Sequence, residues 1–115
     1  MIVIDKTKAT TIGIRIDLAD TSLKRLIGLM GRRRLDAGCG LLITPSSGIH
    51  TFGMRFPIDA IALDKENKVV RLWQVLVPLR VTTISLKIRS VLELPAGRIR
   101  ECEVDIGDQL EFEST

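Results

Sequence analysis

The order of apolar and polar residues predicts a chain built mostly from short strands. Apolar side chains occupy every second position of one early run, at Ile12, Ile14, Ile16 and Leu18. A period of two is typical of a strand with one buried face. Further strands are predicted at residues 1–5 (expected at a sheet edge), 41–43, 59–63, 69–77, 91–94 and 109–112. Polar residues 64–68 separate two of these runs, so residues 59–77 form the clearest predicted hairpin.

A different spacing follows the first strands and predicts a helix. Apolar residues fall at i, i+3, i+4 and i+7, namely Leu23, Leu26, Ile27 and Met30. This spacing places them on one face, which we expect to pack on the core. Asp20 or Thr21 is the predicted N-cap, and Gly31 is the predicted C-terminal stop. The three arginines at residues 32–34 would then complement the negative end of the helix, with a phosphate-binding patch as the alternative.

Two later segments allow more than one interpretation. Residues 84–89 alternate as in a strand, but Ile84, Ile88 and Val91 also have helical spacing. Residues 98–104 fit either a short helix or an extended crossing. Taken together, the patterns predict an α+β, mostly β fold: a compact antiparallel or barrel-like sheet with one main helix at about residues 21–31. The length of 115 residues fits a single domain spanning residues 1–115.

Composition narrows the class of protein. Hydrophobic residues make up 45% of the chain and the net charge is only +3, so neither a disordered protein nor a polybasic membrane-binding protein is expected. The N-terminus lacks the pattern of a signal peptide, and no apolar run approaches the length of a membrane span, so we expect a cytoplasmic protein without membrane contact.

The cysteine and histidine content argues against a bound cofactor. Cys39, Cys102 and His50 are too few for a closed tetrahedral zinc site without carboxylate or partner ligands. Buried free thiols are the favoured interpretation of the cysteines, with a disulfide or a catalytic or metal-binding role as the alternatives. We therefore predict no metal and no cofactor.

Residues 49–59 (Ile-His-Thr-Phe-Gly-Met-Arg-Phe-Pro-Ile-Asp) concentrate the unusual side chains of the chain. They include the only histidine and two of the three phenylalanines. In an extended conformation, His50, Met54 and Phe56 would share one face with Phe52. Pro57 removes a backbone donor, so the segment is expected at an edge, a bulge or a bend.

This stretch provides the candidate binding site. Histidine titrates near neutral pH, and the fork of an arginine suits carboxylate or phosphate, so the side chains favour an anion-accepting pocket. The predicted ligand-binding residues are His50, Phe52, Met54, Arg55, Asp59 and Arg80. The expected partner is a small anionic molecule or a partner segment. The structural alternative is that Arg55 and Asp59 form a scaffold ion pair and that the histidine is simply buried.

Two other classes of function stay open. A hydrolase-like or transferase-like enzyme would use His50 and Asp59, although no nucleophile is marked and the chain has no phosphate loop, HExxH or CxxC motif. A nucleic-acid accessory protein would use the basic residues between Lys24 and Arg34. Aromatic residues are only 3% of the chain, so nucleic acid is not expected as the main partner.

Several segments in order resemble one protein family. These are Gly28–Arg32, Gly40–Ile43, Ile49–Asp59, Leu63–Asp64, Pro78–Arg80, Val91–Gly97 and Gly107–Asp108. Together they are similar to the bacterial and archaeal family of domains of unknown function numbered 192. The resemblance implies a compact, β-rich single domain and no established activity. Relatives often carry a bulky residue where this chain has Gly53, so the resemblance implies a pocket that is more open here or filled by a neighbour.

Overall fold

A computed structural model describes residues 1–51, 53–82 and 84–115. These residues form eight strands and two helices, joined by loops. In chain order these are β1 (Ile2–Asp5), β2 (Thr10–Gly13), β3 (Arg15–Ala19), α1 (Ser22–Ile27), β4 (Cys39–Ile43), β5 (Ile58–Leu63), β6 (Val69–Leu76), β7 (Ser90–Pro95), α2 (Arg98–Cys102) and β8 (Leu110–Glu113). The strands form one sheet in the order β2-β1-β8 and another in the order β3-β4-β7-β5-β6. The predicted α+β, mostly β class is confirmed, but the described strands form two sheets and not a closed barrel.

The central strands of the five-stranded sheet, β4, β5 and β7, are buried on both faces. Along β7, Leu92 and Leu94 belong to one core cluster and Val91 belongs to the other. Because alternate residues of a strand point to opposite faces, the sheet separates two apolar layers. The first layer is completed by the three-stranded sheet and α2. The second is completed by Leu29, which follows α1, and by Ile49 and Met54.

The predicted strand at residues 12–18 is divided between the two sheets. The backbone N–H groups of Ile14 and Arg15 both donate to the carbonyl of Gly38, where the chain passes from β2 to β3. Ile12 and Ile16 are buried as predicted, but Ile14 is 53% exposed. The alternation therefore predicted extended chain correctly, but the prediction of one continuous strand is wrong.

The predicted main helix exists but is short and superficial. Thr21 is its N-cap, since its Oγ1 accepts a hydrogen bond of 3.2 Å from the N–H of Lys24. The helix ends at Ile27 and Gly28 caps it, not Gly31. None of its residues is buried, and Leu26 is 65% exposed. The prediction that this face packs on the core is wrong, because six residues give fewer than two turns to hold against the sheet.

The three arginines beyond α1 also differ from the prediction. They begin five residues after the last helical residue, too far to complement the end of the helix. Arg32 lies 3.9 Å from Asp17, and Arg34 lies 3.0 Å from Asp36. Arg32 therefore pairs with strand β3, and Arg34 pairs within the loop.

The remaining predictions have mixed outcomes. The hairpin of β5 and β6 is confirmed as an antiparallel pair, and residues 98–102 form the helical alternative. β1 is the middle strand of its sheet and not an edge. Residues 84–89 form no strand in the described part, and Leu86 is fully exposed. No described helix has the length and apolarity needed to cross a membrane.

Candidate functional site: a cleft over a buried glutamate

A cleft of about 410 Å³ opens on the second face of the five-stranded sheet. One wall is α1 with the turn that follows it, and the other wall is the loop at residues 45–50. We call it the Glu93 cleft, and the residues that line it are Ser22, Arg25, Leu26, Ile27, Gly28, Leu29, Met30, Ile43, Pro45, Ser46, Ser47, Gly48, Ile49, His50, Met54 and Glu93. Its volume is within the range of small-molecule sites.

Glu93 is the buried acidic residue of this cleft. It lies on β7, where its cross-strand neighbours are Leu41 and Ala60, and only 2% of the residue is exposed. Its Oε1 atom has no hydrogen-bond partner among the residues that the structure describes. Burial raises the pKa of Glu93 to about 8, and the positive charge of Arg32 opposes this shift only in part. The side chain is therefore mostly protonated near neutral pH and can exchange a proton there.

Gly28 brings the backbone close to this carboxyl group. It follows α1 with a φ of 50°, a left-handed conformation that glycine adopts without steric cost. A Cβ atom at this position would lie 3.8 Å from Oε1 of Glu93. The end of α1 therefore turns directly over the buried glutamate and forms part of the cleft wall.

Two threonines hold the opposite wall. The Oγ1 atom of Thr51 donates to the carbonyl of Val77 at 2.7 Å and accepts from the N–H of Arg80 at 2.8 Å. Oγ1 of Thr82 accepts from the N–H of Ile49 at 2.9 Å. These bonds tie residues 49–51 to the segment after β6, so the backbone around His50 is fixed from both sides.

The chain turns at Gly53 and does not continue as the predicted extended chain. The N–H of Met54 donates to the carbonyl of Thr51, and Gly53 has a φ of 78°. His50, which is half-buried, and Met54, which is buried, both line the Glu93 cleft. Phe52, the third predicted site residue of this segment, lies outside the described residues.

Gly53 lies against a side chain from the opposite wall. A Cβ atom placed on Gly53 would lie 3.1 Å from Cε of Met30. Met30 therefore occupies the space beside the residue where relatives are expected to be bulky. Of the two arrangements expected at Gly53, the structure has the one in which a neighbour, Met30, fills the space of a bulky side chain.

The three charged residues predicted for the site are not brought together. Asp59 is fully buried, and its oxygens accept hydrogen bonds from the N–H of Val75 at 2.9 Å and of Ile99 at 2.8 Å. Arg55 and Arg80 are exposed. Among the described residues, none of the three lines the Glu93 cleft, and no ion pair joins Arg55 to Asp59. The side chain of Asp59 therefore binds backbone N–H groups. It contributes neither to the predicted anion-accepting pocket nor to the alternative ion pair with Arg55.

Sequence reasoning did not select Glu93, although a signal was present. Glu93 interrupts an otherwise apolar run, Val91-Leu92-Glu93-Leu94, in a predicted strand. A strand whose remaining residues are all apolar is expected to be buried on both faces, so a charged residue within it is expected to be buried as well. Buried carboxyl groups are rare unless they are paired.

The cysteines and the acidic residues give no second site. Both cysteines are free thiols; Cys102 is buried as predicted, whereas Cys39 is only half-buried. Burial raises the pKa of Cys102. Within residues 1–51, 53–82 and 84–115, no group of three or more histidine, cysteine, aspartate or glutamate side chains could hold a metal ion.

Comparisons with known proteins agree with the fold and leave the chemistry open. The model of the family DUF192, described as "Uncharacterized ACR, COG1430", matches residues 3–112. A UPF0127 protein of Pyrococcus furiosus is 34% identical over 92% of this chain and 93% of its own length. A UPF0127 protein of Thermococcus gammatolerans is 31% identical over 98% of this chain and 76% of its own length.

Two solved structures share the fold. One is a protein of unknown function from Novosphingobium aromaticivorans, with a TM-score of 0.83 and 23% identity, covering 96% of this chain and 83% of that one. The other is a protein from Sinorhizobium meliloti that was solved as a candidate transcription regulator. It has a TM-score of 0.81 and 24% identity, covering 96% of this chain and 89% of that one. At these identities the likeness concerns the fold alone.

Proposed function

The chain belongs to the DUF192 family, and we propose that this member is a small-molecule binding protein whose site is the Glu93 cleft. The observation that carries the proposal is Oε1 of the Glu93 carboxyl group, which is buried beside apolar neighbours and has no hydrogen-bond partner in the described part of the chain. An unpaired buried polar group costs free energy of folding, and such a cost is typical of a site that a ligand completes.

The cleft also supplies the other parts of a binding site. Apolar side chains such as Ile43, Ile49 and Met54 form buried surface for a ligand body. His50, Ser47 and Arg25 add polar groups at the walls. A few polar groups in a mainly apolar concavity are typical of small-molecule sites. An anionic group on the ligand would meet Arg25 in this cleft, and not Arg55 or Arg80.

A thermal-shift screen tests the proposal. The parent protein, Glu93→Gln and Ser22→Trp are heated with panels of amines, carboxylates, amino acids and nucleotides. Ser22 is exposed on α1 and lines the cleft, so a tryptophan there should obstruct the cleft without disturbing the core. A ligand at about one hundred times its Kd stabilises the protein by about 2.7 kcal/mol, which raises Tm by roughly 10 °C for a chain of this size.

The matched control is Arg55→Ala, which removes an exposed charge outside the cleft. We expect ligands that raise Tm of the parent and of Arg55→Ala, but raise Tm of Glu93→Gln and Ser22→Trp less. A ligand that stabilises all four proteins equally would place binding elsewhere. Absence of any stabilising ligand from a broad panel would contradict the proposed function.

A second candidate function is acid–base catalysis in the same cleft. Glu93 and His50 both line it, and a pKa of about 8 leaves a proton on Glu93 for transfer near neutral pH. The pairing of His50 with Asp59 has no support, since Asp59 binds backbone amides. Conversion of a bound ligand, followed by NMR, would distinguish the two functions: in an enzyme, Glu93→Gln stops turnover.

Nucleic-acid binding is not part of the proposal. The name of the Sinorhizobium meliloti protein refers to transcription, but that relative supports only the fold. In this chain Arg32 and Arg34 each lie near an aspartate, which reduces the positive charge available to phosphates. The free cysteines are typical of a reducing compartment, and a cytoplasmic location completes the proposal.

A further inference from the structure

We propose that the ligand of the Glu93 cleft is a monoamine with an apolar body, whose protonated nitrogen pairs with the carboxylate of Glu93. This inference rests on the proposed binding function and specifies the chemical class of its ligand. It is argued from the surroundings of the carboxyl group, from the walls of the cleft and from the charges near it.

The strands next to Glu93 offer no hydrogen-bond donor to its Oε1 atom, so a donor would have to come from outside the sheet. Leu41 and Ala60, its cross-strand neighbours on β4 and β5, have no polar side-chain atoms. A Cβ atom built on Gly28 would lie 3.8 Å from Oε1, which is ordinary contact, and Oε1 has no hydrogen-bond partner among the described residues. An ammonium group has three donors and one positive charge, so it satisfies both the hydrogen bonding and the charge of a buried carboxylate.

The walls of the cleft suit a hydrocarbon body next to that ammonium group. Ile43, Ile49 and Met54 are buried side chains of its lining. Leu26 and Ile27 of α1 belong to the same lining but are 65% and 46% exposed. A ligand between the two walls would remove apolar surface of α1 from water, and that burial is favourable in proportion to its area.

The charges near Glu93 restrict the ligand to one amino group. Arg25 and His50 line the cleft, and the charge of Arg32 acts on the Glu93 carboxyl group. A second ammonium group along the cleft would meet the guanidinium of Arg25 at short range and be repelled. The arrangement therefore favours a monoamine over a diamine of the same length.

Binding is coupled to the release of a proton. Near neutral pH the free protein carries Glu93 mostly as the neutral acid, because burial raises its pKa to about 8. When the alkylammonium ion binds, Glu93 loses its proton to the buffer and forms the ion pair, so the charge entering the cleft equals the charge of the proton leaving it. The cost of this deprotonation is small at neutral pH, since the pKa is within about one unit of the solution pH.

Backbone amide NMR titrations with matched probes test the class of ligand. Hexylamine, hexanol, hexanoate and 1,6-diaminohexane are titrated into the parent protein, Glu93→Gln and Glu66→Gln. Glu66 is an exposed carboxylate in the turn between β5 and β6, so it is the control for a general loss of negative charge. Calorimetry in two buffers of different ionisation enthalpy then counts the protons released.

We expect hexylamine to shift the amide signals of residues that line the cleft and to bind more tightly than the other three probes. Loss of a charge-assisted hydrogen bond should weaken hexylamine binding by about tenfold or more in Glu93→Gln and leave it unchanged in Glu66→Gln. The parent should release a proton on binding below the pKa of Glu93, and Glu93→Gln should release none.

The outcomes separate the ligand class from the binding function. If hexanol or hexanoate shifts the cleft signals and hexylamine binds no more tightly, the amine inference is overturned while the proposed function stands. If Glu93→Gln binds hexylamine as well as the parent does, the inference is likewise overturned. If no probe shifts a cleft signal, both the inference and the proposed function fail. Folding of the variant is checked in the same spectra, and Ser22→Trp repeats the test of location with Glu93 intact.

Discussion

The two faces of the five-stranded sheet each bury one acidic residue, and the two residues differ in their hydrogen bonding. On the face covered by the three-stranded sheet and α2, both oxygens of Asp59 accept backbone N–H groups. On the face covered by α1 and the loops, Oε1 of Glu93 has no partner in the described part of the chain. At equal burial, Asp59 holds two backbone amides of the fold, whereas Glu93 lines a cleft with Oε1 unsatisfied.

The covering layers differ in the same sense. α2 has five residues, and two of them, Ile99 and Cys102, are buried. α1 has six residues and none is buried. The first face is closed by packing, whereas the second is closed by loops that leave a cleft. The following predictions are arranged from the largest expected effect to the smallest.

Asp59→Ala should have the largest effect on stability. It removes two hydrogen bonds to a charged acceptor and leaves the N–H groups of Val75 and Ile99 without it. At about 2 kcal/mol for each bond, the free energy of unfolding should fall by about 4 kcal/mol in urea denaturation. Asp59→Asn keeps one carbonyl acceptor and should lose less. Equal stability of Asp59→Ala and the parent would contradict the anchoring role.

The two helices should respond differently to truncation of an apolar side chain. Ile99→Ala in α2 removes a buried side chain and should cost about 3 kcal/mol. Leu26→Ala in α1 should cost less than about 1 kcal/mol, because that side chain is largely exposed. Thermal or urea unfolding of both variants checks the difference. A loss for Leu26→Ala as large as that for Ile99→Ala would show that α1 packs on the core after all.

The burial of Glu93 should make stability depend on pH. Its pKa is raised from 4.5 in the unfolded chain to about 8 in the fold, so the folded state holds a proton that the unfolded state releases. The contribution of Glu93 to the free energy of unfolding is fully present below about pH 4.5 and is lost as the pH rises through about 8. Between about pH 6 and about pH 8, the parent should lose about 2 kcal/mol that Glu93→Gln does not lose.

The comparison of the two proteins is necessary because another group titrates at lower pH. Burial and the neighbouring carboxyl group of Asp108 raise the pKa of Asp5 to about 6. Asp5 is unchanged in Glu93→Gln, so subtracting the two pH profiles isolates Glu93. Parallel profiles for the parent and the variant would contradict a raised pKa.

The local elements of the fold could be predicted from the sequence where the pattern itself sets the structure. The hairpin of β5 and β6 combines two apolar runs with a polar turn, and it forms as predicted. Thr21 caps α1 because its hydroxyl group reaches the N–H three residues later, a contact that depends only on local spacing.

Burial could not be predicted in the same way, because it depends on which elements meet. The apolar stripe of α1 has the spacing of a core helix, yet the sheet face that it approaches is already covered by Leu29, Ile49 and Met54. Ile14 fits the alternation of a strand, yet the chain changes sheets at that residue.

The candidate site shows the same limit. His50 and Met54 were selected for their chemistry, and both line the cleft. Arg55 and Asp59 were expected to join them because they are close in sequence, but Arg55 is exposed in the loop before β5 and Asp59 is buried in that strand. Glu93 comes to the cleft from 43 positions beyond His50, through the pairing of β7 between β4 and β5. Only the long-range pairing of strands brings it there.

A pH titration of the Glu93 side-chain carboxyl carbon by ¹³C NMR tests the central claim most directly. Its resonance can be assigned by comparison with Glu93→Gln. A midpoint near pH 8 would confirm that the carboxyl group is buried and that no partner stabilises its charged form. A midpoint near the ordinary glutamate value of about 4.3 would mean that the carboxylate is solvated or paired, and would contradict both the cleft and the binding function built on it.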